Sequence, residues 1–252
     1  MINEYYADET AWIQRLDPRL RILFATVYSF SVALLSYFQP LLLALAFSFL
    51  MLTMAGVSLQ LLKKRLMAFN GMVLLFWLVL PITFSGKVLY ELGPLTITLP
   101  GVVLAAQITL KANAIMVAFI ALVATTPISV IGHGLDKLYV PKKITHVLLM
   151  TYRYVFVIEQ EYQRLMRAIK IRGFSPRTNM HTYQTYGYVL GMIFVRSLDR
   201  ARRVHQAMIC RGFDGTFYSL ERFSLKRIDY ICMPLMIAVI IGIEVMEWIN
   251  TL

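Results

Sequence analysis

Five stretches of this chain hold enough consecutive apolar residues to leave little choice of fold: residues 22–38 and 41–57, with 17 each, then 69–85, 101–125, and the 22 of 228–249. Inside hydrocarbon a backbone finds no water, so every N–H and C=O must be satisfied within the chain, and an apolar run of this length becomes a helix. The two 17-residue runs sit at the short end for a crossing and draw on flanking interfacial residues to reach both surfaces. Composition agrees. With 58% hydrophobic residues, 15% charged residues and a mean hydropathy of +0.64, this is an all-α membrane protein of about five spans.

The formal net charge of +11 would suit a nucleic-acid binder if it were spread over the chain. It is concentrated instead. Residues 137–227 carry 17 Lys and Arg against 5 Asp and Glu, and the remainder carries 8 against 9. On a membrane protein such a basic region marks the cytoplasmic side, so nucleic acid is not an expected partner and the lipid bilayer is. The same rule places the basic shoulder at Arg15, Arg19 and Arg21 and the Lys63-Lys64-Arg65 cluster inside. Gln39-Pro40 and the loop 86–100 then fall outside, with the C-terminus. Residues 1–21 form a polar cytoplasmic segment with no cleavable signal, 22–125 a four-span bundle, 126–227 a cytoplasmic platform and 228–252 the final span.

The platform reads as helices punctuated by proline. Thr126-Pro127 starts a short helix holding Leu135, Leu138 and Val140, which Pro141 ends; a long helix follows over 142–172. Pro176 and Asn179 mark a linker, a second long helix covers 181–211, and Asp214-Gly215 forms a turn.

Each long helix ends in the same words. Arg164, Ala168, Arg172, Gly173 and Phe174 recur 39 residues later as Arg203, Ala207, Arg211, Gly212 and Phe213. Steps of four put Arg, Ala and Arg on one helical face, where the small Ala leaves room for a partner. Gly after the second Arg can adopt the left-handed conformation that closes a helix. Ordinary end preferences account for an Arg and a Gly in the last turn, but not for the repeated Ala or the first Arg. Two guanidinium-bearing helix ends imply two similar docking pockets on partners.

Catalytic chemistry finds little support. His133, His146, His181 and His205 are scattered, no helical His pair or His-Glu-x-x-His motif occurs, and no phosphate-binding Gly-rich loop or paired carboxylates are present. Cys210 and Cys232 form no spacing motif. The chain is therefore expected to be no enzyme, with neither cofactor nor metal ligands of its own. Lys111 and Asn113, inside the fourth span, are the polar exception. A membrane-embedded Lys is either a pathway residue or a group that snorkels or pairs with a neighbouring span.

In its paired motifs Ile171-Arg172-Gly173 and Cys210-Arg211-Gly212 the chain resembles the transmembrane T component of energy-coupling factor transporters. The resemblance extends over Leu16-Asp17-Pro18-Arg19, Thr126-Pro127, Pro141, Tyr152-Arg153-Tyr154 and the final span, with Ile171 and Cys210 standing where Ala is frequent. The run from Val195 to Ala201, followed by Ala207-Met208 and Arg211-Gly212-Phe213-Asp214-Gly215, is similar to the cobalt/nickel branch. It implies a coupling subunit that binds two cytoplasmic ATP-binding subunits, which hold the ATP, and a substrate-binding membrane subunit. Arg172 and Arg211, with Ala168, Gly173, Ala207 and Gly212, would then form the ATPase-coupling ends, supported by Arg164, Arg203 and Arg153. The competing expectation is a self-contained secondary transporter or channel whose basic platform binds anionic lipid or a regulator, with Lys111 on its pathway.

Overall fold

Asp17 turns its carboxylate onto the Arg19 amide at 3.0 Å and Pro18 supplies a first helical residue that has no amide to satisfy, so the first helix begins there. In the computed structural model, residues 16–57, 59–85, 87–92, 95–138, 140–214 and 227–251 are described. Most of the N-terminal segment, the glycine of the Asp214-Gly215 turn and Lys226 lie outside them. The helices are α1 (Pro18–Leu34), α2 (Phe38–Met54), α3 (Leu59–Thr83), α4 (Leu99–Phe119), α5 (Ile128–Lys137), α6 (Lys142–Ile171), α7 (Met180–Cys210) and α8 (Arg227–Thr251). They fall into two units, one of Met1–Leu138 with Phe223–Leu252 and the other of Tyr139–Arg222.

In the first unit, α2, α3 and α4 pack side by side, with α1 against α4 and α5 and α8 against α1 and α2. Tyr28, fully buried, ties three helices together. Its hydroxyl donates to the Ala44 carbonyl at 2.6 Å and lies 2.7 Å from Ser48 Oγ, which reaches the Ala114 carbonyl of α4 at 2.9 Å. Phe24 and Phe47 pack against its ring. A polar relay of this kind holds helices together where apolar burial offers no preference for helix over lipid. Beyond α4 the chain makes one π-helical stretch, Ile120–Ala124. The buried Arg21 answers it, donating from Nε to the Leu122 carbonyl and from Nη2 to Thr125 Oγ1, each at 3.1 Å.

Among the described residues, three helical stretches are long and apolar enough to cross a membrane on their own, Leu62–Thr83, Leu99–Ala124 and Ile228–Asn250. The other two expected crossings, α1 and α2, have 17 residues each. That is about 25 Å of helix against about 30 Å of hydrocarbon. Their division also differs from the expectation. Gln39-Pro40 does not separate them but lies in the first turn of α2, where proline has no helical hydrogen bond to lose, and the break falls at residues 35–37. Glu247 of α8 fixes that break by accepting the Ser36 amide at 2.6 Å and the Tyr37 amide at 3.3 Å.

Lys63, Lys64 and Arg65, which precede the apolar run 69–85, belong to the first turns of α3, because nothing between them and that run interrupts a helix. The connection between α3 and α4 contains an antiparallel hairpin, β1 (Val88–Leu92) with β2 (Leu95–Thr98). Val140 falls beyond the end of α5. Gly101 is required where α4 meets α3: a Cβ there would stand 2.5 Å from the Leu80 carbonyl oxygen and 2.6 Å from Pro81 Cα.

Candidate functional site: two matched helix ends

The second unit consists of α6, of 30 residues, the linker, and α7, of 31. Each helix starts within a residue of where proline and asparagine signals put it; the Asn179 side chain accepts the Thr182 amide at 2.9 Å as the cap of α7.

Both C-terminal ends close by one geometry. At the end of α6 the Gly173 amide donates to the Lys170 carbonyl at 3.0 Å and the Phe174 amide to the Ile169 carbonyl at 3.2 Å. At the end of α7 the Gly212 amide donates to Ile209 at 2.9 Å and the Phe213 amide to Met208 at 3.1 Å. Gly173 and Gly212 have φ of +83° and +79°, the left-handed backbone this paired closure needs. Arg172 and Arg211 are therefore the cap residues of their helices, held in register by the glycine behind them. Both are exposed, as are Ala168 and Ala207, so the face read from the repeat is open in each copy. A guanidinium beside the partial negative charge of a helix C-terminus is favourably placed and keeps its fork of donors for an incoming carboxylate.

The two ends are far apart. Phe174, two residues beyond Arg172, packs edge-on against Tyr186 with centroids 5.9 Å apart, near the start of α7. From there to Arg211 the helix runs on the order of 40 Å. One stiff helix thus separates the two arginines.

The repeat's remaining positions do not behave alike. Arg164, Arg203 and Arg153 are all exposed, and Arg164 turns to Glu161, one turn back on α6, at 3.5 Å. Glu161 also accepts Arg196 of α7. The hydrogen bond from Arg196, then the charges of Arg196, Arg164 and Arg200, hold the Glu161 carboxyl below its ordinary pKa. The sequence motifs singled out neither Glu161 nor Arg196.

In the first unit Lys111 donates to the Ala33 carbonyl at 3.0 Å, in the last turn of α1, and Asn113 exchanges amide hydrogen bonds with Asn70 of α3 at 3.0 and 3.1 Å. Lys111 thus has a helix-end carbonyl as its partner, the neighbouring-span pairing that was one of its two expected roles. Glu244, missed in the sequence, accepts the Ser31 hydroxyl at 2.7 Å, and Gln107 donates to the Ser36 carbonyl at 2.6 Å. Polar groups of α4 and α8 thus meet the α1–α2 break.

Residues 9–221 match the family model of the cobalt transport protein CbiQ. Over 260 residues the chain is 27% identical to the energy-coupling factor transporter transmembrane protein EcfT of Leuconostoc gelidum, covering 95% of each. It is 25% identical over 262 residues to the protein of the same name in Listeria innocua, covering 96% of each. A 149-residue stretch is 30% identical to the cobalt transport protein CbiQ of Rhodobacter capsulatus, covering 56% of this chain and 61% of that one.

Proposed function

Because this chain belongs to the CbiQ family of cobalt transport proteins, we propose that it is the non-catalytic transmembrane component of an energy-coupling factor transporter, seated in the cytoplasmic membrane as a multi-pass protein. Two ATP-binding subunits dock on its cytoplasmic unit, one at Arg172 and one at Arg211. A separate membrane subunit captures the substrate, which we assign as Co2+ or Ni2+. The cobalt assignment draws on the family and on the Rhodobacter relative.

The observation that carries the coupling reading is the identical closure of the α6 and α7 ends around two exposed arginines. A helix end docks into a groove as a preformed unit, and an arginine fork recognises a carboxylate there with fixed geometry. When ATP closes the paired subunits, the spacing of their grooves changes, and α6 and α7 carry that change as levers. Binding and hydrolysis stay with the ATP-binding subunits.

The test is ATP-dependent uptake of radioactive cobalt and nickel by cells expressing the whole complex. Wild-type chain supports accumulation of at least one metal. Arg172→Glu with Arg211→Glu abolishes it while the chain still reaches the membrane. Full accumulation by that double variant would contradict the coupling role, and accumulation of neither metal by the wild type would overturn the substrate assignment.

A further inference from the structure

We propose that Glu161 and Arg196 are positioning residues: their ion pair latches α6 to α7 and thereby sets the separation of the Arg172 and Arg211 ends. The inference rests on the coupling reading for its consequence in transport, and on geometry alone for the latch.

The contact between the two helices is thin. Thr145 and Glu161 are the buried residues of α6, and Thr182 and Val189 those of α7. Little apolar area therefore fixes how the helices cross, and specific contacts must do it. Two such contacts stand out among the described residues. At one, Phe174 packs on Tyr186 and, at 6.4 Å, on His181. At the other, Glu161 joins Arg196 across 35 residues of sequence, with Arg164 beside it at 3.5 Å. Along α7 these contacts are about 15 Å apart, the ten residues from Tyr186 to Arg196. One contact alone would leave a hinge, whereas two fix an angle.

The surroundings favour a latch over an ordinary surface pair. The Glu161–Arg196 contact forms part of the wall of a groove of about 210 Å³, whose apolar lining is Tyr154, Val157, Ile158 and Ala201 and which Arg200 also lines. The Glu161 side chain is only 12% exposed. Removing its charge takes away the carboxylate that Arg196 donates to and that the Arg200 charge faces, which loosens the hold between the helices at this point. Beyond Arg196, α7 continues for 15 residues to Arg211, about 22 Å, so a rotation of about 10° at the latch displaces that end by about 4 Å. A shift of that size takes a guanidinium out of hydrogen-bond reach of its groove or drags the groove with it.

The experiment uses the full chain. One spin label goes on the native, exposed Cys210 and a second on Ser175→Cys, with Cys232→Ser removing the third thiol. The label-to-label distance distribution is recorded for the wild-type background, Glu161→Gln, and the charge exchange Glu161→Arg with Arg196→Glu. Unlabelled versions of each are assayed for capture of the ATP-binding subunits, ATP hydrolysis and metal uptake. The expected result is a broadened distribution in Glu161→Gln, with the ATP-binding subunits still bound and uptake per ATP reduced about tenfold, and recovery of both in the exchange variant. A distribution as narrow in Glu161→Gln as in the wild type overturns the latch. So does a broadened one that the exchange fails to narrow. A broadened distribution with unchanged uptake per ATP overturns its role in transport. If the coupling reading itself is wrong, Arg172→Glu with Arg211→Glu keeps the ATP-binding subunits bound, and the distance result stands independently.

Discussion

Gly173 and Gly212 close their helices with the same backbone, at φ +83° and +79°, and each puts an exposed arginine immediately before it. A Cβ at either position would meet nothing within 4 Å, so the constraint is conformational and not steric. Replacement by Ala costs about 1 kcal/mol in the left-handed region, and Asn costs less. Gly173→Ala and Gly212→Ala are expected to fray the last helical turn, read as faster amide exchange at Phe174 and Phe213 respectively, with Gly→Asn close to wild type.

The Asn70–Asn113 pair joins α3 to α4 by two reciprocal amide hydrogen bonds. Asn113→Leu strands the Asn70 amide and is expected to cost about 0.6–2 kcal/mol. Asn70→Leu with Asn113→Leu removes both polar groups and should recover part of that loss. Thermal unfolding in detergent measures these variants and Asn70→Leu alone; a loss in the double variant equal to the sum of the two single losses would show that the pair is not coupled.

Lys111 donates to a helix-end carbonyl, which is a structural role. Lys111→Met is expected to lower the thermal midpoint while ATP-driven uptake stays within about twofold of wild type, since the lost hydrogen bond is worth about 1 kcal/mol. Loss of uptake at unchanged stability would instead make Lys111 a pathway residue.

Glu161 gives the second unit an acid-sensitive joint. Arg196 and Arg200 face it from α7 and Arg164 from its own helix, and they hold its carboxyl below the ordinary 4.5. A carboxyl depressed in the folded state stabilises it fully above the ordinary value, and that contribution disappears as pH falls through the depressed one. The distance distribution described above is expected to broaden in that acidic window for wild type. For Glu161→Gln the latch contributes no such change. Equal pH responses of the two would remove Glu161 as the cause.

These features were unequally legible in the amino-acid order. The ends of α6 and α7 were readable because Gly after Arg has one economical conformation there, and Pro141 and Asn179 mark the starts. Glu161 and Arg196 were not, because they lie 35 residues apart and nothing local links them. The α1–α2 break was misplaced by reading Pro40 as a stop, whereas the first turn of a helix tolerates it. Glu247, which holds that break, disappeared into an apolar run whose average concealed it. The hairpin over Val88–Leu92 and Leu95–Thr98 was too short to stand out from a loop. The π-helical stretch Ile120–Ala124 carries no local signature; Arg21 Nε and Thr126 Oγ1 donate to its Leu122 carbonyl and Thr125 Oγ1 to its Ala121 carbonyl. Local chemistry at helix ends survives in sequence, while pairings across helices do not.

The most direct measurement is affinity capture of the full chain from its native membrane, in mild detergent, with mass spectrometry of what remains bound. Wild type is expected to retain ATP-binding subunits together with a further membrane subunit, and Arg172→Glu with Arg211→Glu to lose the ATP-binding subunits while keeping its own fold. Retention of those subunits at wild-type level by the double variant would contradict the claim that the two matched helix ends are where they dock.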